Sequence, residues 1–161
     1  MKPPPSSEPH APPRRPRVLL VEDDLHERNL LAWMLRSEEW SVVEAESGVE
    51  LLEWIGIATS TSHRLFDVIV ADVGMPDISS LEVLSGWRYG GWSVPFVVVT
   101  AQDDVAMRAE AYALGAIAVL QKPVQAEALH EALAQALARC RDATDAATGT
   151  WTASRSTEDA S

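Results

Sequence analysis

The sequence has little of three features that often decide a protein's class: cysteine, basic residues and long apolar runs. Its single cysteine, Cys140, excludes an intramolecular disulfide, and a reducing cytoplasm is the simplest compartment for such a chain. Lys and Arg number 13 against 24 Asp and Glu, a net charge of −11, which argues against general nucleic-acid binding because phosphates need a basic face. No apolar run is long enough to cross a bilayer, and no signal-peptide pattern opens the chain. We therefore expect a cytoplasmic protein that binds neither DNA nor a membrane.

The composition predicts one folded unit between two polar tails. With 161 residues and 47% hydrophobic composition, the chain can bury one core and is too short for two ordinary domains. Residues 1–16 are rich in proline and cannot bury enough apolar surface to offset the entropy of ordering. Residues 142–161 are rich in Ala, Thr, Ser and Asp without an apolar period. We predict disordered tails over 1–16 and 142–161, and a domain over 17–141.

Strand and helix signals alternate within the predicted domain. Short apolar runs typical of buried strands occur at residues 18–21, 42–43, 68–71, 94–99 and 117–120. Helix starts with the spacing of a capping box follow three of them, at Asp24–Glu27, Ser47–Glu50 and Ser79–Glu82. Five β-α units predict a parallel sheet with helices on both faces. Because such crossovers are right-handed, we predict a doubly wound α/β fold.

Polar residues with chemical capability come directly after four of the five predicted strands: Glu22, Asp23, Asp72, Thr100 and Lys122. The carboxyl ends of parallel strands share one edge of a sheet, where ligands bind, so these side chains are expected to meet there. Each acid alone would be read as a solvated loop residue. Together they favour a site for Mg²⁺, a hard cation that prefers carboxylate, water and phosphate oxygens. In that setting Asp72 is the candidate nucleophile toward phosphorus.

Four segments, V-L-L-V-E-D-D, V-I-V-A-D-V-G-M-P-D, V-V-V-T-A and L-Q-K-P-V, occur in this order at successive strand ends. In this arrangement the chain resembles the receiver domain of two-component response regulators, over nearly all of residues 17–141. The resemblance implies a CheY-like, flavodoxin-like fold with five parallel strands. It also implies a role in phosphorelay signalling.

The resemblance implies an acceptor and a metal site. Asp72 matches the phosphoacceptor, which takes a phosphoryl group from a sensor histidine kinase or a histidine phosphotransfer protein and becomes an aspartyl phosphate. Glu22 and Asp23 match the acidic pair that helps to hold Mg²⁺. Asp23 and Asp72 would be direct ligands, with the backbone carbonyl of Gly74 as a third.

The resemblance also implies a switch. Thr100 matches the hydroxyl that moves to bond the phosphoryl group, and Lys122 matches the lysine that contacts it, with a cis bond to Pro123. Receivers usually carry an aromatic residue three positions before this lysine, where this chain has Val119. Gln102, two residues past Thr100, is positioned to orient an attacking water, so we expect Gln102→Ala to change the rate of phosphate loss.

The resulting prediction is a stand-alone receiver that is not an enzyme beyond its own phosphorylation and dephosphorylation. The stretch after the fifth helix is too short and polar for a DNA-binding domain, so output is expected through an unidentified partner protein or through onward phosphotransfer. Two alternatives stay open. One is an Mg²⁺-dependent phosphatase with an aspartyl-phosphate intermediate, although such enzymes typically carry a second acid where this chain has Gly74. The other is a receiver-like docking module that is never phosphorylated.

Overall fold

The fold is that of a computed structural model, which describes residues 14–61, 63–91, 93–102 and 104–148. Strands and helices alternate strictly along these residues. The strands are β1 (Arg17–Val21), β2 (Ser41–Ala45), β3 (Val68–Asp72), β4 (Phe96–Thr100) and β5 (Ala118–Gln121). The helices are α1 (Leu25–Ser37), α2 (Gly48–Ser60), α3 (Ser80–Tyr89), α4 (Val105–Ala113) and α5 (Ala126–Thr148).

The three predicted helix starts are confirmed. In each, a side-chain oxygen accepts a hydrogen bond from a backbone N–H of the first turn; the caps are Asp24, Ser47 and Ser79. Such bonds satisfy N–H groups that have no partner within the helix. The full reciprocal box forms at Ser79, where Glu82 accepts from the Ser79 N–H at 3.0 Å. The carboxylates of Glu27 and Glu50 bond to other groups, Glu50 to the Glu46 N–H at 2.7 Å.

The five strands form one parallel sheet in the order β2-β1-β3-β4-β5, which confirms the doubly wound prediction. The order reverses between β1 and β3, the point at which ligands bind in this kind of sheet. Val21 pairs with Ala71, so β1 and β3 end almost level with each other. Thr100 pairs with Gln121 at the ends of β4 and β5. The register therefore brings the residues that follow these four strands to one edge.

The core lies on both faces of the sheet. Val18 and Leu20 of β1 face α1 and α5, where they join Leu31, Leu35, Leu129 and Leu133. Leu19 and Val21 face the opposite side, with Leu51 of α2, Leu84 of α3 and Ala111 of α4. Alternate residues of one strand point to opposite faces, so continuous apolar runs are what a sheet covered on both sides requires. The central strands β3 and β4 are buried along their whole length.

The first strand begins at Arg17, where the domain was predicted to begin, but the last helix extends beyond the predicted end at residue 141. Helix α5 continues to Thr148, past residue 141, because residues 142–148 are rich in alanine and extend a helix that is already packed. At the other end, Arg14 bonds to Asp67, and the Pro16 carbonyl accepts from the Ser41 N–H at 2.9 Å. The predictions for residues 1–13 and 149–161 lie outside the described residues. Among the helices that are described, none has both the length and the apolar character to span a membrane.

Candidate functional site

Three carboxylates meet where β1 and β3 end. Glu22, Asp23 and Asp72 each offer a ligand oxygen, and these oxygens lie within 4.8 Å of one another. Glu22 is 1% exposed and Asp72 6% exposed, whereas Asp23 is open to solvent. The structure thus brings together the three acids that the sequence placed at adjacent strand ends.

Lys122, directly after β5, supplies the positive charge of the site. Its ammonium donates to Glu22 Oε2 at 2.8 Å and to Asp72 Oδ2 at 3.1 Å, and it also contacts Glu27 Oε2. Its side chain is 15% exposed. Desolvation alone would lower the pKa of Lys122, but the hydrogen bonds to Glu22, Glu27 and Asp72 outweigh it and raise the pKa above its usual range. The three hydrogen bonds therefore favour the charged form of Lys122.

The site carries more negative than positive charge. Burial raises the pKa of Glu22, although the bonds from Lys122 and from the Asp24 N–H at 3.1 Å act in the opposite direction. One ammonium cannot balance Glu22, Asp23 and Asp72 together, and the two buried acids, Glu22 and Asp72, repel each other strongly because they lie away from bulk water. The donor set consists of hard oxygen ligands around an acidic pocket, which fits Mg²⁺ and not a soft metal ion.

Gly74 lies against Asp72. Its backbone N–H donates to Asp72 Oδ1 at 3.1 Å, and a Cβ at this position would come within 3.5 Å of Asp72 Oδ2. Glycine therefore leaves the approach to the carboxylate open. The expected role of its carbonyl as a metal ligand stays a prediction.

Thr100 lies at the same edge but engages other groups. Thr100 is 4% exposed, and its carbonyl accepts from the Lys122 N–H at 2.8 Å. Its hydroxyl donates to the Gln102 carbonyl and accepts from the Gln102 N–H, both at 3.1 Å. Because the hydroxyl has a single O–H, it can donate to a group on Asp72 only by giving up its bond to the Gln102 carbonyl. The Lys122–Pro123 bond is cis, as the resemblance implies.

Val119 takes the place of the usual aromatic residue and is part of the buried core. It is 5% exposed and packs in the core with Val98 and Ala111. Its carbonyl accepts from Arg108 Nη1 of α4 at 3.3 Å. At this position α4 therefore contacts β5 through a hydrogen bond from an arginine side chain to a backbone carbonyl.

The loop after Asp72 is anchored on a neighbouring helix. The carboxylate of Asp77 accepts from the Gly48 N–H at 3.1 Å and the Val49 N–H at 2.9 Å, at the start of α2. The bond from Val49, followed by other backbone bonds, lowers the pKa of Asp77. A Cβ on Gly48 would lie 2.4 Å from the Ile78 carbonyl oxygen, so glycine allows the loop and helix to touch. Sequence reasoning missed this second cap on α2.

Arg28 anchors the loop that carries the first two acids. Its Nη1 donates to the Glu22 carbonyl at 2.8 Å, and its guanidinium lies 3.7 Å from Glu44 and 3.8 Å from Glu46 at the end of β2. Its side chain is 12% exposed, so these contacts are partly shielded from water. Arg28 therefore ties the Glu22–Asp23 segment to the neighbouring strand.

Glu27 is the site residue that sequence reasoning missed. Its spacing from Asp24 indicated only a capping role, but its carboxylate reaches Lys122 across the strand ends. Helical side chains tilt toward the N-terminus of their helix, and α1 begins at this edge. This tilt could have predicted Glu27 as a site residue, because an acid in the first turn of α1 points back over the site.

Comparison with known proteins agrees with the geometry. The family model described as the response regulator receiver domain matches residues 18–134. Response regulator MprA of Mycobacterium sp. (strain KMS) is 37% identical over 125 residues, covering 78% of this chain and 50% of that protein. Transcriptional regulatory protein ZraR of Klebsiella oxytoca is 29% identical over 124 residues, covering 77% of this chain and 27% of that protein. The chain thus spans about a quarter to a half of these relatives.

Two solved structures share the fold over most of their length. The chemotaxis protein CheY4 of Vibrio cholerae superposes with a TM-score of 0.65 at 27% identity, covering 76% of this chain and 99% of that one. A response regulator receiver domain protein from Clostridium thermocellum superposes with a TM-score of 0.69 at 25% identity, covering 78% of this chain and 97% of that one. Both align with the sheet-and-helix unit described above.

Proposed function

Because the chain belongs to the response regulator receiver domain family, we propose that it is a phosphoacceptor switch in which Asp72 accepts a phosphoryl group from a phosphohistidine. The donor is a sensor histidine kinase or a histidine phosphotransfer protein. One observation carries the proposal: Asp72 ends a buried strand, shares a 4.8 Å cluster with Glu22 and Asp23, and is bonded to Lys122 at 3.1 Å. A carboxylate with only a structural role does not need two further acids beside it.

The proposed step is one displacement at phosphorus. A carboxylate oxygen of Asp72 forms an O–P bond while the P–N bond of the donor phosphohistidine breaks, and the leaving imidazole keeps the electron pair of that bond. Lys122 neutralises part of the charge on the transferring oxygens. Mg²⁺, bound by Asp23, Asp72 and the Gly74 carbonyl with Glu22 in support, would supply further charge neutralisation there.

The proposed switch starts at Thr100. A phosphoryl group on Asp72 adds negative charge and acceptor oxygens at the strand ends, which favours a Thr100 hydroxyl that leaves Gln102 to bond them. The β4–α4 segment follows Thr100, and α4 is joined to β5 by the Arg108–Val119 bond. We propose that the surface formed by α4 and β5 changes when Asp72 is phosphorylated. A protein partner would bind this surface with an affinity that depends on the state of Asp72.

The proposed donor surface lies on α1. Leu30 and Trp33 are 53% and 67% exposed on this helix. Leu30 and Met34 line a groove against Pro123 that also includes Lys122. Exposed apolar residues beside a polar centre are typical of protein docking surfaces. A donor protein docked here would have its histidine within reach of Asp72.

The test is incubation with Mg²⁺ and acetyl phosphate, followed by intact-protein mass spectrometry. Wild type is expected to gain one base-labile phosphoryl group, and Asp72→Asn none. Asp67→Asn is the matched control, because Asp67 is a second buried carboxylate at the opposite end of β3. This variant should still gain the group.

Two outcomes would favour the alternatives. Turnover of a small phosphate ester, with product exceeding one equivalent per protein, would indicate a phosphatase. Absence of any adduct in folded wild type would indicate a docking module and contradict the proposal.

A further inference from the structure

The hydrogen-bonding capacity of Lys122 is already full. An ammonium group has three N–H donors and no acceptor. Three different carboxylates accept from Lys122 Nζ: Glu22 at 2.8 Å, Asp72 at 3.1 Å, and Glu27. A phosphoryl group on Asp72 presents new acceptor oxygens to this lysine. One of the present partners must therefore leave.

Glu27 is the partner that can leave at the lowest cost. Glu22 is buried and already uses its other carboxylate oxygen to accept from the Asp24 N–H, so losing Lys122 would leave a buried charge poorly paired. Asp72 loses its negative charge when it becomes an acyl phosphate, so its bond from Lys122 can pass to one phosphoryl oxygen, and a second such bond requires another partner to leave. The Glu27 side chain is 43% exposed and can turn into water.

Resting on the proposed function, we propose that Glu27 is a positioning residue that holds Lys122 in the unphosphorylated state and releases it when the phosphoryl group arrives. Glu27 then acts as a brake on phosphorylation. It occupies a donor that the transferring oxygens need, and its carboxylate adds negative charge beside an incoming anion. Both effects slow phosphorylation.

The proposal and a simple supporting role for Glu27 predict opposite changes in the rate of phosphorylation. If Glu27 only held Lys122 in place, removing its charge would slow phosphorylation because the lysine would lose its orientation. If Glu27 is a brake, removing its charge speeds phosphorylation. The contact is partly exposed, so we expect an increase of about two- to fivefold.

The experiment compares Glu27→Gln with Glu53→Gln over a series of acetyl phosphate concentrations with Mg²⁺. Glu53 is an exposed acid of α2, so both variants lose one negative charge from a helix surface. Initial rate and plateau of the Asp72 adduct are measured by mass spectrometry, with circular dichroism as the check on folding. Glu27→Gln should exceed Glu53→Gln in both. Equal or slower phosphorylation would overturn the proposal.

A double-mutant cycle tests whether Glu27 acts through Lys122. In a Lys122→Met background, Glu27→Gln should accelerate phosphorylation less than it does in wild type, because only the effect of its charge on the incoming anion remains. An undiminished acceleration in that background would show that Glu27 does not act through Lys122, and would overturn the proposal. Failure of wild type to form any adduct would instead contradict the proposed function, so the two failures are distinguishable.

Discussion

Strand β3 has a buried carboxylate at each end, and the two are held in different ways. Asp67 lies directly before the strand and is 9% exposed, and Asp72 ends it and is 6% exposed. Asp67 accepts from the Arg17 N–H at 2.7 Å and from Arg14 Nη2 at 3.1 Å. These partners are a backbone amide and an arginine, so the Asp67 charge is well compensated.

Asp72 is buried to a similar degree but shares its cation with other acids. Lys122 also bonds to Glu22 and Glu27, and Asp23 lies within the same cluster. The end at Asp67 is an anchor for the N-terminal segment, with Cys140 of α5 donating to the Asp67 carbonyl at 3.3 Å. The end at Asp72 keeps uncompensated charge. Burial therefore does not distinguish Asp67 from the proposed phosphoacceptor Asp72, but the balance of partners does.

Removing the cation at each end of β3 should give the largest difference in unfolding free energy between the two ends. Lys122→Met leaves buried Glu22 without its counter-ion, and we expect a loss of about 2–4 kcal/mol in unfolding free energy without Mg²⁺. Arg14→Met should cost about 0–1 kcal/mol, because the Arg14 side chain is 58% exposed. Urea unfolding measures both. Equal losses would contradict the difference between the two ends.

Removing the acid at the anchor end should destabilise the fold without affecting phosphorylation. Asp67→Ala leaves the Arg17 N–H unpaired in a partly buried position, and we expect a loss of about 1–3 kcal/mol in unfolding free energy. Urea unfolding provides the measurement. Loss of the acetyl phosphate adduct in a folded Asp67→Ala protein would show that the two ends are coupled.

Removing an acid at the Asp72 end should stabilise the fold instead of destabilising it. Without Mg²⁺, Asp23→Asn relieves repulsion among three carboxylates, and we expect a gain of about 0.5–1 kcal/mol in unfolding free energy. Wild type should gain about 1.4 kcal/mol when Mg²⁺ is present at tenfold its Kd, and Asp23→Asn much less at the same concentration. Thermal unfolding with and without Mg²⁺ tests both. A destabilised Asp23→Asn would mean that the acids are already balanced.

An exposed pair of side chains that lies at neither end of β3 should give the smallest change in unfolding free energy. His130 Nδ1 lies 2.6 Å from Glu38 Oε2, and this hydrogen bond raises the pKa of His130 above 6.5. A raised histidine pKa contributes stability that is fully present below pH 6.5 and is lost as the pH rises through the folded-state pKa. Unfolding free energy should therefore fall slightly over this range in wild type. A similar fall in Glu38→Gln would show that the pair is not its source.

Much of this protein followed from local pattern. Alternating apolar runs and caps at Asp24, Ser47 and Ser79 were sufficient for the five β-α units, because strand and helix periods and caps depend on residues close in sequence. Parallel strands share a carboxyl edge, so Asp72 and Lys122 could be expected together before any contact was known.

Other features depend on packing between distant segments. The bond from Lys122 to Glu27, the cap of α2 by Asp77, and the attachment of Arg14 to Asp67 each join residues far apart in the chain. Whether two such side chains meet depends on helix placement and side-chain direction, which no local period encodes. Tertiary structure alone therefore decided how the charges at the two ends of β3 are shared.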